Sequence, residues 1–333
     1  MASQPPHPET INRLTDDVTY AMAMLAGMQL DIFTPLKDGA RTAEQIAASL
    51  DVQPNKLRPL LRALAAAGFV TIAGDRFSNA PEAQRYLVDG EPDSMLGGTR
   101  QLAYLWTELL GTAESIRTGV PQSMVDYATM SEQRLQAAYD RMYPQSEAAV
   151  LRLLEKHDFS AYRRLADVGG GHGAVAITMT VAYPNLKATV IDLSSVIPFT
   201  QRYIERAGVG DRVDVQAVDA SSEPLSGSFD LAIMRSFIQV LTTNQAQQAL
   251  KNIAQVIEPG GVIYVWGAGI LDDSMVSPPA AVRYGLATLN RLDGTHASTE
   301  NEHREWLSDA GFVDFSREVL PNSESIITAR KPA

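Results

Sequence analysis

The sequence predicts an α/β fold, with a mostly parallel seven-stranded sheet and crossover helices preceded by a smaller helical domain of winged-helix type. Three observations carry this. From Arg164 onward, short apolar runs alternate with helical segments. The first run leads into a glycine-rich turn, Asp167-Val168-Gly169-Gly170-Gly171-His172-Gly173. Near the N-terminus, two short helix patterns are followed by a hairpin pattern.

The N-terminal domain is expected over residues 1–100. Apolar residues recur at helical spacing from Ile11 to about Leu36 (Leu14, Val18, Ala21, Met24, Leu25, Met28, Leu30), which predicts one helix open to core or dimer contact. Thr42, with Gln45 three residues later, marks a helix start, and a second helix is expected from Pro54 to Ala67 with Leu57, Leu60, Leu61 and Leu64 on one side. Phe69 to Ile72 and Arg76-Phe77, joined at Ala73-Gly74-Asp75, read as a hairpin. Such a unit can read DNA, and Lys56, Arg58 and Arg62 lie on its second helix. The net charge of -11, however, opposes a phosphate backbone or an anionic membrane, so the expected role is as a scaffold or in dimerisation.

The stretch from Met95 to about His157 is again helical in pattern, and residues 101–160 are expected to bridge the domains and line the active site. Residues 161–333 form the sheet domain. Its strands are expected at Leu165–Val168, Ala188–Ile191, Val213–Val215, Leu231–Met234, Val262–Val265, Phe312–Phe315 and Ser325–Thr328.

Composition excludes several classes. Without cysteine the chain has neither disulfides nor thiolate metal sites, and its five histidines show no ligand spacing, so no metal is expected. The start is polar, with Pro5, Pro6 and Pro8, and no apolar run reaches the roughly 20 residues that span a bilayer. The expected setting is cytoplasmic, without nucleic-acid or membrane partners.

The glycine turn lies between a strand and a helix, where bare backbone and positive φ angles let a ligand rest at a helix N-terminus. Gly169, Gly171 and Ala174 also satisfy the dinucleotide pattern, so spacing alone leaves two cofactor classes open. Asp192 ends the second strand, where an acid meets ribose hydroxyls in either class, and Asp219 ends the third, where a carboxylate can accept from an adenine amino group. A nicotinamide needs no acid at Asp167, whereas a ligand with an ammonium group does. The three carboxylates favour S-adenosylmethionine.

In these motifs, in Glu258-Pro259-Gly260-Gly261 before the next strand and in Ala310-Gly311-Phe312, the chain resembles the dimeric plant-type and bacterial small-molecule O-methyltransferases with an N-terminal winged-helix dimerisation domain. The resemblance covers nearly the whole chain. It implies a Rossmann-like methyltransferase domain, a homodimer, and a small-molecule acceptor. It implies methionine on the Gly169–Gly173 turn, ribose on Asp192, adenine near Leu193, Asp219 and Ala220, and Arg235 close to the cofactor where the family usually has Lys.

The sequence departs from that family where O-methylation needs a base. The family segment resembles L-K-x-V-L-H-D-W, and here Gln239 stands at the His position in Met234-Arg235-Ser236-Phe237-Ile238-Gln239-Val240-Leu241. An amide does not titrate near neutral pH. The two acids that usually orient the His are also missing, from Trp266-Gly267-Ala268-Gly269 and from His296-Ala297-Ser298-Thr299. A phenol, with pKa near 10, gains from a base, while a thioether or a tertiary amine does not.

The feature set is similar to the methylthiohydroxybutyrate S-methyltransferases of dimethylsulfoniopropionate synthesis. That likeness implies a thioether acceptor, a sulfonium product and aromatic walls, for which Trp106, Tyr139 and Tyr143 are candidates. Trp106 reads equally well as buried dimer core. His296 could replace the base, and Arg141 or Arg283 could hold a carboxylate, although each also reads as surface. His303 with Glu302 reads as a solvated helix face. O-methylation by an unusual base, and non-methylating chemistry on the same fold, are the alternatives.

Overall fold

The computed structural model describes residues 7–127 and 129–333. The chain divides into two compact units, Met1–Thr107 and Glu108–Ala333.

The first unit opens with helix α1 (Glu9–Gln29), followed by β1 (Arg41–Thr42), α2 (Ala43–Leu50), α3 (Pro54–Ala66), β2 (Val70–Ala73), β3 (Arg76–Asn79) and α4 (Pro81–Tyr86). Helix α1 ends sooner than the periodicity predicts, because Asp31 takes a left-handed conformation at φ 53° and the chain turns into a short 3-10 segment at Thr34–Leu36. The predicted capping box of α2 is present: the Thr42 hydroxyl accepts from the Gln45 N–H, and the Gln45 side chain accepts from the Thr42 N–H. The hairpin turns through Gly74, and β1 adds to it antiparallel, giving the order β1-β3-β2. Ile32, Phe33, Leu36, Ile46, Leu61 and Leu64 fill the core of this unit. The outward residues of α1 are apolar and bare in the single chain: Ile11 is 69% exposed, Leu14 51% and Val18 59%.

The segment read as continuously helical from Met95 to His157 is instead three helices, α5 (Thr99–Leu109), α6 (Thr112–Thr118) and α7 (Glu132–Leu154). Gly119, at φ 70°, ends α6, and residues 119–131 carry no helix among those described. The second unit then alternates as the sequence predicts. Its elements are β4 (Arg164–Val168), α8 (Ala174–Ala182), β5 (Lys187–Asp192), α9 (Ile197–Ala207), β6 (Val213–Ala217), β7 (Phe229–Arg235), α10 (Thr243–Val256), β8 (Ile257–Gly267), β9 (Ile270–Leu271), α11 (Pro279–Thr288), β10 (Ser298–Thr299), α12 (Glu300–Asp309), β11 (Val313–Val319) and β12 (Ser325–Arg330).

The seven-stranded sheet runs β11-β12-β8-β7-β4-β5-β6. Neighbours from β8 to β6 are parallel, whereas β12 is antiparallel to both β8 and β11. Glu258 to Gly261 do not precede the strand but lie inside β8, as an irregularity between the pairs Phe229–Ile257 and Leu231–Val262. Alternate residues serve two cores: Leu231, Ile233, Val262 and Tyr264 face α7, α8 and α9, and Ala232, Met234, Ile263 and Val265 face α10 and α12. Burial on both faces explains why the strands read as continuous apolar runs.

Two helix details differ from the sequence reading. Glu302 caps α12 by accepting from the Thr299 N–H. His303 is buried rather than solvated, with Nδ1 2.8 Å from the Thr299 carbonyl and its ring against Trp306.

Candidate active site

Strand order reverses direction of growth at β4, which pairs with β5 on one side and β7 on the other. Loops at the carboxyl ends of parallel strands diverge at such a point and open a crevice. The glycine turn, Asp192–Leu193, Asp219–Ala220, Ser236–Leu241 and Gly267–Gly269 all lie at or just beyond the carboxyl ends of the parallel strands.

The turn itself is built by close approach. Gly169 sits at φ 65° with the Phe237 ring over it, and a Cβ there would lie 2.3 Å from a ring carbon. Beneath the turn, Asp167 is fully buried. Its Oδ2 accepts from the Ala176 N–H at 3.1 Å, and its Oδ1 has no partner. Burial pushes its carboxyl up to about 7, with neighbouring Asp192 adding to the rise and the Ala176 N–H and Arg235 opposing it.

Asp192 fastens the turn from the next strand. Its two oxygens accept from the Gly171 N–H and its neighbour the Leu193 N–H, each at 2.7 Å. Burial raises this carboxyl to about 6 against those hydrogen bonds. Asp219 is engaged locally, accepting from the Ser221 N–H and hydroxyl and from the Ser222 hydroxyl. Burial acts to raise it, but these hydrogen bonds outweigh burial and hold it below the ordinary carboxylate value. The backbone oxygen of buried Ala220 accepts from the Asn252 amide. Arg235, at the end of β7, donates to the Ser146 hydroxyl, faces Glu324 at 3.6 Å and lies 4.8 Å from the centre of the Trp266 ring.

An aromatic group from α7 and α9 stands beside the turn. The buried Tyr139 ring meets Gly171, since a Cβ there would lie 3.5 Å from its Cε1. Tyr139 and Tyr143 meet the His172 ring edge-on at 5.5 and 5.3 Å, and Tyr143 stacks on Tyr203 at 4.8 Å. His172 Nδ1 accepts from the Ala174 N–H, and burial pulls the ring down to about 4, keeping it neutral. Burial pushes the Tyr139 hydroxyl well above the ordinary tyrosine value.

Gln239, in a single 3-10 turn after β7, is 4% exposed. Neither Oε1 nor Nε2 has a hydrogen-bond partner. The amide lies on the bare backbone of Gly267, where a Cβ would fall 2.7–2.9 Å from its three terminal atoms. At Gly269 a Cβ would strike Tyr284 at 2.7 Å and Gln239 Cγ at 3.1 Å. Leaving a buried polar atom unpaired costs about 1–3 kcal/mol, so a group that hydrogen-bonds this amide would be stabilised here.

The structure thus gathers Asp167, Gly169, Gly171, Gly173, Asp192 and Leu193 around one turn, with Tyr139 and Tyr143 beside it. His296 is half exposed, with Glu302 at 3.6 Å and Ser298 at 3.4 Å. Trp106 lies half-buried on α5 in the first unit, and Arg141 and Arg283 are exposed. Sequence reasoning missed Phe237 and Tyr284. Their signal was indirect, in that Gly169 and Gly269 announce a close approach without naming what approaches. Among the described residues no group of three or more His, Asp or Glu is arranged to hold a metal ion, and no helix is long and apolar enough to cross a membrane.

Comparison with known proteins bears on this arrangement. Residues 112–313 match the O-methyltransferase domain family, and residues 12–89 match the O-methyltransferase dimerisation domain. The chain is 28% identical to a 3-hydroxy-5-methyl-1-naphthoate 3-O-methyltransferase of Streptomyces sahachiroi, covering 97% of this chain and 95% of that one. It is 27% identical to the N,N-dimethyltransferase OxyT of Streptomyces rimosus, covering 96% and 95%. In fold it matches human N-acetylserotonin methyltransferase, solved in complex with S-adenosylmethionine, with a TM-score of 0.70 at 21% identity over 100% of both chains.

Proposed function

The chain belongs to the O-methyltransferase family, whose methyl donor is S-adenosylmethionine, and from that premise we propose methyl transfer to an acceptor atom that needs no general base. The observation that carries this reading is Gln239, a buried, non-titrating amide at the position that the sequence resemblance matches to the family's base, with Gly267 and Gly269 in the segment where the resemblance expects an orienting acid. His172, the histidine at the turn, is neutral, and its Nδ1 is engaged by the Ala174 N–H.

The residues present fit the donor. Asp167 keeps one buried oxygen without a partner, suited to an ammonium group, and the glycine turn leaves bare backbone at the start of α8. Asp192 would hold the ribose, with Leu193, Asp219 and Ala220 about the adenine. When bound, the donor supplies an electrophilic methyl group on a sulfonium. The protein's own part is to orient the acceptor and exclude water, and such positioning can contribute about 7–11 kcal/mol.

Two kinds of acceptor satisfy base-free transfer. A thioether, as in methylthiohydroxybutyrate, has a free lone pair and no proton. An amine is the second, and it has separate support from the N,N-dimethyltransferase relative. The dimerisation domain, together with the bare apolar face of α1, supports a homodimer.

The test is incubation with methyl-labelled S-adenosylmethionine and a panel of thioethers, including methylthiohydroxybutyrate, amines and phenols. Label in thioethers or amines supports the reading. Label confined to phenols, with a pH–rate profile that reports an enzyme base, contradicts it.

A further inference from the structure

Gln239 restricts the acceptor more than the lack of a base does. Its amide offers one acceptor oxygen and two N–H donors, and the fold satisfies none of them. It is buried rather than solvated, seated on Gly267 with Tyr284 beside Gly269. A side chain so placed is suited to hydrogen-bond a group that enters the site during the reaction.

A thioether sulfur has no hydrogen to give to Oε1 and is only a weak acceptor for Nε2. A hydroxyl could donate to Oε1, but it must then lose that proton to become nucleophilic, and an amide cannot take it. A neutral amine meets both conditions, because one N–H donates to Oε1 while the nitrogen lone pair stays free to react.

Resting on the base-free reading, we propose that the reacting atom is a neutral amine nitrogen bearing at least one hydrogen, oriented by the Gln239 amide. The nitrogen lone pair forms the new N–C bond as the S–C bond of the donor breaks, and that bond's electron pair stays on sulfur. The product is an N-methylammonium, and its extra proton passes to water after transfer. A nitrogen with two hydrogens can react twice. A tertiary amine has no N–H for Oε1, so methylation stops there and no quaternary ammonium forms.

The experiment uses the full chain, labelled S-adenosylmethionine and probes matched except at the reacting atom: amino-, methylthio- and hydroxybenzoates and the corresponding naphthoates. The amino compounds take label and stop at the tertiary amine. Gln239→Met, unbranched and of similar length, raises KM for them about tenfold with a smaller change in kcat. The same substitution raises the thermal midpoint of the ligand-free protein, because it removes an unsatisfied buried amide, and Gln239→Leu provides a second apolar variant.

Label in the methylthio compounds with the amino compounds untouched overturns the N–H assignment and leaves base-free transfer standing. Label only in the hydroxy compounds, with a titrating enzyme group, overturns both. A lower thermal midpoint in both variants also overturns the assignment, since the amide would then have a partner within the fold.

Discussion

The Gln239 amide rests directly on the α-carbon of Gly267, so closely that a single methyl group there would sit 2.7 Å from Nε2. Any side chain at position 267 therefore requires the Gln239 amide to shift. Because the clash is with the far end of a flexible side chain, substituting Gly267→Ala is expected to cost no more than about 1–3 kcal/mol through overpacking. Pairing it with Gln239→Ala should return part of that loss, and a double-mutant cycle by denaturant unfolding measures the coupling.

Asp192 joins the glycine turn to the second strand of the sheet through the Gly171 N–H. Replacing it by Ala removes charge-assisted bonds worth about 1.5–3 kcal/mol, so cofactor affinity is expected to fall roughly 10- to 150-fold with secondary structure retained. Calorimetry together with circular dichroism checks both parts, and unchanged affinity would refute the ribose role.

Asp167 and Asp192 have carboxyls raised to about 7 and about 6 by burial. The ligand-free fold therefore favours their protonated forms. Their protonation contributes stability that is fully present below the unfolded value near 4 and lost as pH rises through about 6–7. A cationic ligand favours the ionised forms instead. Cofactor affinity should thus rise from about pH 5 to pH 8, with proton release on binding. Calorimetry in buffers of different ionisation enthalpy measures that release, and a pH-independent affinity would contradict the role of these carboxylates.

The outer face of α1 presents Ile11, Leu14 and Val18 in helical register. Leu14→Glu with Val18→Glu is expected to shift sedimentation from dimer to monomer at micromolar concentration. A wild-type protein that sediments as a monomer would refute dimerisation through this face.

Much of the fold was legible because burial on both faces of a parallel sheet leaves apolar runs that stand out, as at Leu231–Met234 and Val262–Val265. The capping box at Thr42 and Gln45 was legible because it depends on local spacing alone. The end of α1 was not, because the left-handed Asp31 interrupts a periodicity that continues in the sequence to Leu36. His303 was misread for a related reason: polar neighbours on α12 suggested solvent, while its own position faces Trp306. In the site, the carboxylates at strand ends could be picked out from position. Tyr284 could not, because its proximity to Gln239 depends on where α11 packs, and the neighbouring Arg283 offered a more obvious charge.

The central claim is that transfer proceeds without a base at position 239, and kcat of Gln239→Ala tests it most directly. Loss of a neutral contact is expected to cost about tenfold or less and to appear mainly in KM, with cofactor affinity unchanged. General-base catalysis supplies about 10²–10⁴-fold. A thousandfold or greater fall in kcat, with the fold and cofactor affinity intact, would contradict the claim.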